Sequence, residues 1–199
     1  MSLLVFRDPF WCTQIKMISE FLLNNRYGLR DQTIFYFSVK CGLRSKEISN
    51  LKWSMVMNSD GSVGDHLNLP NSSSKGNGGR VVPLKKDLKL NLIKLLKEHS
   101  SCQHFSTGTS AIIRTERSKS TSSQAIVNMF QRWYDRLGLV GCSSHSGRRT
   151  FITETSKKIS TVGGSLRDIQ MMVGHSSLQT TQRYIESDSE SQKKVVNLL

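Results

Sequence analysis

"SSHSGRRTFITE", residues 143–154, is the stretch on which the reading turns. His145 stands three residues before Arg148 and four before Arg149, and apolar Phe151 and Ile152 follow at once. On a helix, positions i, i+3 and i+4 share a face. The histidine and both arginines therefore point one way, while Phe151 and Ile152 can anchor the helix to a core. Neighbouring cations repel, and a packed structure tolerates them best with an anion close by. Phosphate suits this place because a guanidinium fork matches two of its oxygens. Taken alone, the stretch fits a phosphate-binding helix start and a solvated basic face lying along DNA equally well.

The whole chain leans the same way. Of 199 residues, 28 are Lys or Arg and 15 are Asp or Glu, a formal charge of +13. An excess of this size implies a polyanionic partner, since neutralising phosphates releases condensed counterions. The length suits one sizeable domain, and 37% hydrophobic residues suit a globular one. No apolar run reaches the length of a membrane span, and Arg7 and Asp8 interrupt the opening too early for a secretory signal. Cys12, Cys41, Cys102 and Cys142 form no CxxC pair, so neither a zinc framework nor a disulfide scaffold is expected. Cys102 near His104 and Cys142 near His145 give two metal ligands at a time where zinc needs four. The expected location is the cytoplasm.

Outward from the opening stretch, apolar periodicity predicts helices over 10–25, 30–42, 45–53, 85–99 and 123–139, with Gly42 as a left-handed stop and Ser45 as a cap. Three short helices follow over 145–160, 165–176 and 178–187. Between residues 56 and 84 the texture changes. "DHLNLPN" and "GRVVPL" read as two antiparallel strands joined by the polar loop "SSSKGNG". Residues 103–123 read as a connector with a short extended piece at "AIIRT". The expected fold is mainly α with a small antiparallel β-sheet.

Three further pieces carry chemistry. In "CGLRSKEISNLKW", Arg44 sits at the mouth of a helix, where free N–H groups favour anions, and Glu47 can aim an arginine; an ordinary surface salt bridge reads the same. In "SSSKGNGGRVVPL", Lys75 sits on a hairpin loop, able to reach into a groove or simply exposed. In "MMVGHSSLQTTQRYIE", Gly174 breaks a helix, His175 sits in the turn, Ser176 or Ser177 can cap the next helix, and Tyr184 follows.

Arg44, Lys75, His145 with Arg148, His175 and Tyr184 occur in the order and at the intervals of a known signature. It comprises an arginine in a "GLR…E…L" helix start, a hairpin lysine, a His-x-x-Arg box, a "GH" pair, and a tyrosine nine residues after that histidine. On these residues the chain resembles the catalytic domain of the tyrosine recombinases, the phage-integrase family. Each element is weak alone, and the register of six makes the resemblance specific. Two positions depart from the pattern. Gly147 stands where Leu is commoner, and Arg149 where His or Lys is commoner, so Arg149 competes with Arg148 for the phosphate role; the His-x-x-Arg interval favours Arg148.

The resemblance implies cleavage and rejoining of double-stranded DNA through a covalent 3′-phosphotyrosine, with no metal or nucleotide cofactor. Arg44 and Arg148 would clamp the phosphate, Tyr184 attack, His145 act as base, Lys75 protonate the leaving 5′ oxygen and His175 hydrogen-bond a phosphate oxygen, with Glu47 and Arg149 in support. A free phenol titrates at about 10, so a reactive tyrosine needs cations or a base beside it. The resemblance also implies a homo-tetramer on two duplexes from protein that is monomeric when free. It implies a catalytic domain over 1–185 and a tail over 186–199 docking on a neighbour; the upstream core-binding domain that the family commonly carries has no room before Arg44 here and is expected to be absent. Relaxation of DNA in the manner of a type IB topoisomerase, or a DNA-binding regulator without activity, are the competing expectations.

Overall fold

The computed structural model describes residues 10, 12–70, 79–102, 105–116, 118–184 and 196–197. Lys75, and all of the expected tail except 196–197, lie outside them. The elements run α1 (Cys12–Leu23), α2 (Gly28–Cys41), α3 (Ser45–Ser49), β1 (His66–Leu69), β2 (Arg80–Pro83), α4 (Lys86–Ser100), α5 (Ser123–Arg136), α6 (Ser146–Lys158), α7 (Leu166–Val173) and α8 (Leu178–Gln182). The fold is mostly helical with a small two-stranded antiparallel sheet, as the sequence predicts. No helix among the described residues is long and apolar enough to cross a membrane.

The main core gathers Phe35 and Phe37 of α2, Ile48 of α3, Leu92 of α4 and Phe130 and Tyr134 of α5. Each such side chain contributes about 1.5–3 kcal/mol on full burial. A second, smaller cluster holds Ile152, Ile169 and Val173, with Phe151 and Tyr184 packed against it. Helix α6 joins the two, pressing its first turn on α2 and giving Phe151 and Ile152 to the second cluster. An added Cβ at Gly147 would lie 2.5 Å from Ser38 Oγ and 3.3 Å from the Val39 nitrogen. The departure from Leu at 147 thus reflects how closely α6 approaches α2.

Gly42 ends α2 with φ 65°, its N–H donating to the Ser38 carbonyl and the following Leu43 N–H to that of Phe37, as expected of that glycine. Two local expectations need correction. The cap of α3 is Arg44, not Ser45, because Glu47 Oε2 accepts the Arg44 backbone N–H at 2.8 Å and so fixes the turn one residue earlier. The helix also stops at Ser49; Trp53–Met55 form a separate 3₁₀ turn. Its backbone is engaged elsewhere, with Trp53 N–H on Ser110 O at 3.1 Å and Ile112 N–H on Leu51 O at 2.9 Å. That pairing uses the extended piece expected at "AIIRT". Strands β1 and β2 pair in the register Leu67↔Val82 and Leu69↔Arg80. Alternation along β2 buries Arg80 and Val82 and exposes Val81 and Pro83.

Candidate active site

The C-terminal end of α7 organises the site. The last carbonyls of a helix have no partner within it and form its negative pole. Two buried arginines take them. Arg148 Nη2 donates to Val173 O at 2.8 Å, and Arg80 Nε donates to Met172 O at 2.8 Å. Arg148 Nη1 also donates to the carbonyl of Gly42. Arg148 is therefore strapped between the end of α2 and the end of α7, and is 3% exposed. Burial first, then the charges of Arg44 and Arg80, press its pKa down to about 9, against the opposing influence of Glu47 and Tyr184, which leaves it charged at neutral pH.

Arg44 lies two residues beyond Gly42 and so enters the same place from α3. Its Nη1 is 3.3 Å from Glu47 Oε1, and its side chain is 32% exposed, open to a ligand. Arg149 is exposed while Arg148 is buried, so Arg148 is the member of the pair that the fold brings to Arg44. His145 precedes α6 as its N-cap and is exposed. Partial burial, then the charges of Arg148, Arg44 and Arg149, hold its pKa below the ordinary histidine value.

His175 is buried in the turn after Gly174, a left-handed residue with φ 65°. Its Nδ1 is 3.0 Å from Thr181 Oγ1 on α8, and its ring stacks on Tyr184 with centroids 5.8 Å apart. Burial, then Arg148, Arg44 and Arg80, lower its pKa to about 4. Ser177 caps α8, accepting from the Gln179 N–H at 3.2 Å. Tyr184 follows α8, its carbonyl accepting from Thr153 Oγ1 of α6 at 3.3 Å.

Arg44, Glu47, His145, Arg148, His175 and Tyr184 thus come together from α3, both ends of the α6–α7 region and the end of α8. The sequence reading missed Arg80 and Thr181. An arginine sharing an inward strand register with Val82 is the signal for the first. An open cleft of about 1850 Å³ reaches the site at Arg80 and His175, and Lys52, Arg114, Lys119 and Arg167 line its walls.

The profile of the phage integrase family matches residues 12–191. The chain belongs to the phage integrase family. This integrase-family chain is 27% identical over 173 residues to a tyrosine recombinase XerC of Chlamydia pneumoniae, covering 86% of the chain and 52% of that protein. It is 32% identical over 163 residues to a XerC of Bradyrhizobium diazoefficiens, covering 81% of the chain and 47% of that protein. The chain spans about half the length of these curated relatives. The crystal structure of XerA recombinase superposes with a TM-score of 0.74 at 22% identity, over 96% of this integrase-family chain and 64% of that one. The Tn1549 transposon integrase in complex with circular intermediate DNA superposes with 0.73 at 16% identity, over 96% and 67%. These likenesses carry the fold.

Proposed function

We propose that this domain cleaves and rejoins strands of double-stranded DNA as a site-specific recombinase, with Tyr184 as nucleophile. The observation that carries the proposal is the placement of Arg148: buried, charged, and within electrostatic reach of Arg44, His175 and Tyr184. The family membership and the basic cleft support it further.

The Tyr184 oxygen attacks the phosphorus, its proton passing to His145, which is held neutral at pH 7 and so can accept it. The bond from phosphorus to the 5′ oxygen breaks, and that oxygen takes a proton from Lys75. Negative charge grows on the non-bridging oxygens, where Arg44 and Arg148 face it in a site of low dielectric. A neutral His175 that accepts from the Thr181 hydroxyl at Nδ1, 3.0 Å away, keeps its ring proton on Nε2 and donates it to one of those oxygens. The phosphotyrosine keeps the energy of the broken bond, so a 5′-hydroxyl of another strand completes the exchange. Glu47 aims Arg44. Assembly of four copies on two duplexes, with the 186–199 tail of one against the next, belongs to the same proposal.

The test uses nicked suicide duplexes drawn from a randomised-sequence pool, which trap the covalent step by losing the 5′-hydroxyl. The wild-type chain becomes covalently attached to DNA and Tyr184→Phe does not. Supercoil relaxation without sequence preference favours the topoisomerase reading, and salt-sensitive binding without an adduct favours the regulator.

A further inference from the structure

The reaction proposed above leaves a buried cation unused. Arg80 projects from β2 with its side chain 5% exposed, and its Nη2 is 2.9 Å from Glu47 Oε1. The donor directions miss that oxygen, so neither Nη1 nor Nη2 has a hydrogen-bond partner among the described residues. A buried guanidinium that spends one N–H on a helix end and is ion-paired with a carboxylate at 2.9 Å without an aligned hydrogen bond is a poor strut, since arginine–carboxylate pairs are strongest when two-pointed. An added Cβ at Gly174 would sit 2.8 Å from Nη1, so the turn that carries His175 is shaped around it.

We infer that Arg80 is a positioning residue for the strand cleavage proposed above, acting through Glu47 on Arg44. Glu47 gives Oε2 to the Arg44 backbone at 2.8 Å, and Oε1 is shared between Arg80 Nη2 at 2.9 Å and Arg44 Nη1 at 3.3 Å. Arg80 is the nearer cation and the more buried. Its presence keeps Glu47 from closing a tight two-point pair with the Arg44 side chain, the geometry an arginine and a carboxylate otherwise prefer. Arg44 is left with one long bond and its outer face turned to solvent, ready for a phosphate. The three guanidiniums set against the Glu47 carboxylate also keep the pocket positive until an anion arrives. Through Met172 the same side chain ties β2 to the turn that carries His175.

The experiment measures covalent attachment at saturating suicide duplex, and DNA affinity separately, for wild type, Arg80→Met, Arg80→Lys, Glu47→Gln and the double variant Arg80→Met with Glu47→Gln. Arg80→Met attaches about tenfold more slowly with Kd within about twofold of wild type, because many other cations hold the backbone. Arg80→Lys, which keeps the charge without the fork, falls between. The double variant is no slower than the slower single one, the mark of two residues on one path. Unchanged attachment in Arg80→Met, a loss confined to Kd, or losses that multiply overturns the inference. If the wild type forms no adduct, the cleavage reading falls, and the free protein still decides on Arg80. The Arg44 Nε–Hε signal in NMR then shifts in Arg80→Met, with Arg80→Lys between, and an unmoved signal overturns the inference. If Arg80→Met does not fold, Arg80→Lys carries both readouts.

Discussion

The rings of His175 and Tyr184 lie stacked, planes 18° apart and centroids at 5.8 Å, which places the proposed nucleophile beside an imidazole held in the field of three arginines. That field sets the first prediction. His175 titrates at about 4 in the folded chain against an ordinary 6.5, so as pH falls the unfolded chain takes up the proton first. Its contribution to stability is full above pH 6.5 and is lost progressively as pH falls toward 4. Orthovanadate seated between Arg44 and Arg148 offsets their charge, and the His175 titration followed by NMR moves upward. A titration that ignores vanadate places the anion elsewhere.

Removing Arg148 costs stability as well as chemistry. Arg148→Ala orphans the carbonyls of Gly42 and Val173, at about 1–3 kcal/mol for each buried group left unpaired. Chemical denaturation reads this directly. Arg149→Ala, on the exposed neighbour, costs less than Arg148→Ala, because an exposed charged contact contributes about 0–1 kcal/mol.

Position 147 tests the packing of α6 on α2. Gly147→Leu restores the residue commoner in the family pattern and drives a side chain into Ser38 and the Val39 backbone. It destabilises the chain by about 1–3 kcal/mol, the usual range for overpacking. Ser38→Gly recovers part of the loss, as denaturation midpoints of the single and double variants show.

Much of this site was legible in the sequence because its signals are local. Gly42 announces a helix end, the alternation in "HLNL" and "RVVP" announces a hairpin, and the spacing from His175 to Tyr184 survives folding as a stacked pair. What escaped depends on partners distant in sequence. Nothing near Arg80 says that its side chain meets Glu47 and a carbonyl at the end of α7, although its inward register could have marked it. Ser45 looked like a cap by residue type, but the Glu47 carboxylate binds the Arg44 N–H and moves the helix start. Ile48 and Leu51 keep a helical spacing within 45–53, yet Leu51 and Trp53 pair with residues 110–112 and the helix ends early.

Gly174→Ala separates the site from the fold. The residue has φ 65°, and the new methyl meets Arg80 Nη1. Strain in the left-handed turn costs about 1 kcal/mol, and the displaced guanidinium lowers the rate of covalent attachment without weakening DNA binding. A loss of binding alone contradicts this.

The central claim is that Arg44 and Arg148 present one DNA phosphate to the oxygen of Tyr184. Its most direct test is to digest the covalent complex with trypsin and nuclease and to locate the linkage by mass spectrometry. Cleavage after Arg183 yields a peptide that begins at Tyr184. The account predicts that this peptide carries the nucleotide through its 3′-phosphate, and that Arg44→Ala and Arg148→Ala each lower its yield by about a hundredfold at unchanged DNA occupancy. Attachment at another residue, a 5′ linkage, or full yield from either arginine variant would contradict it.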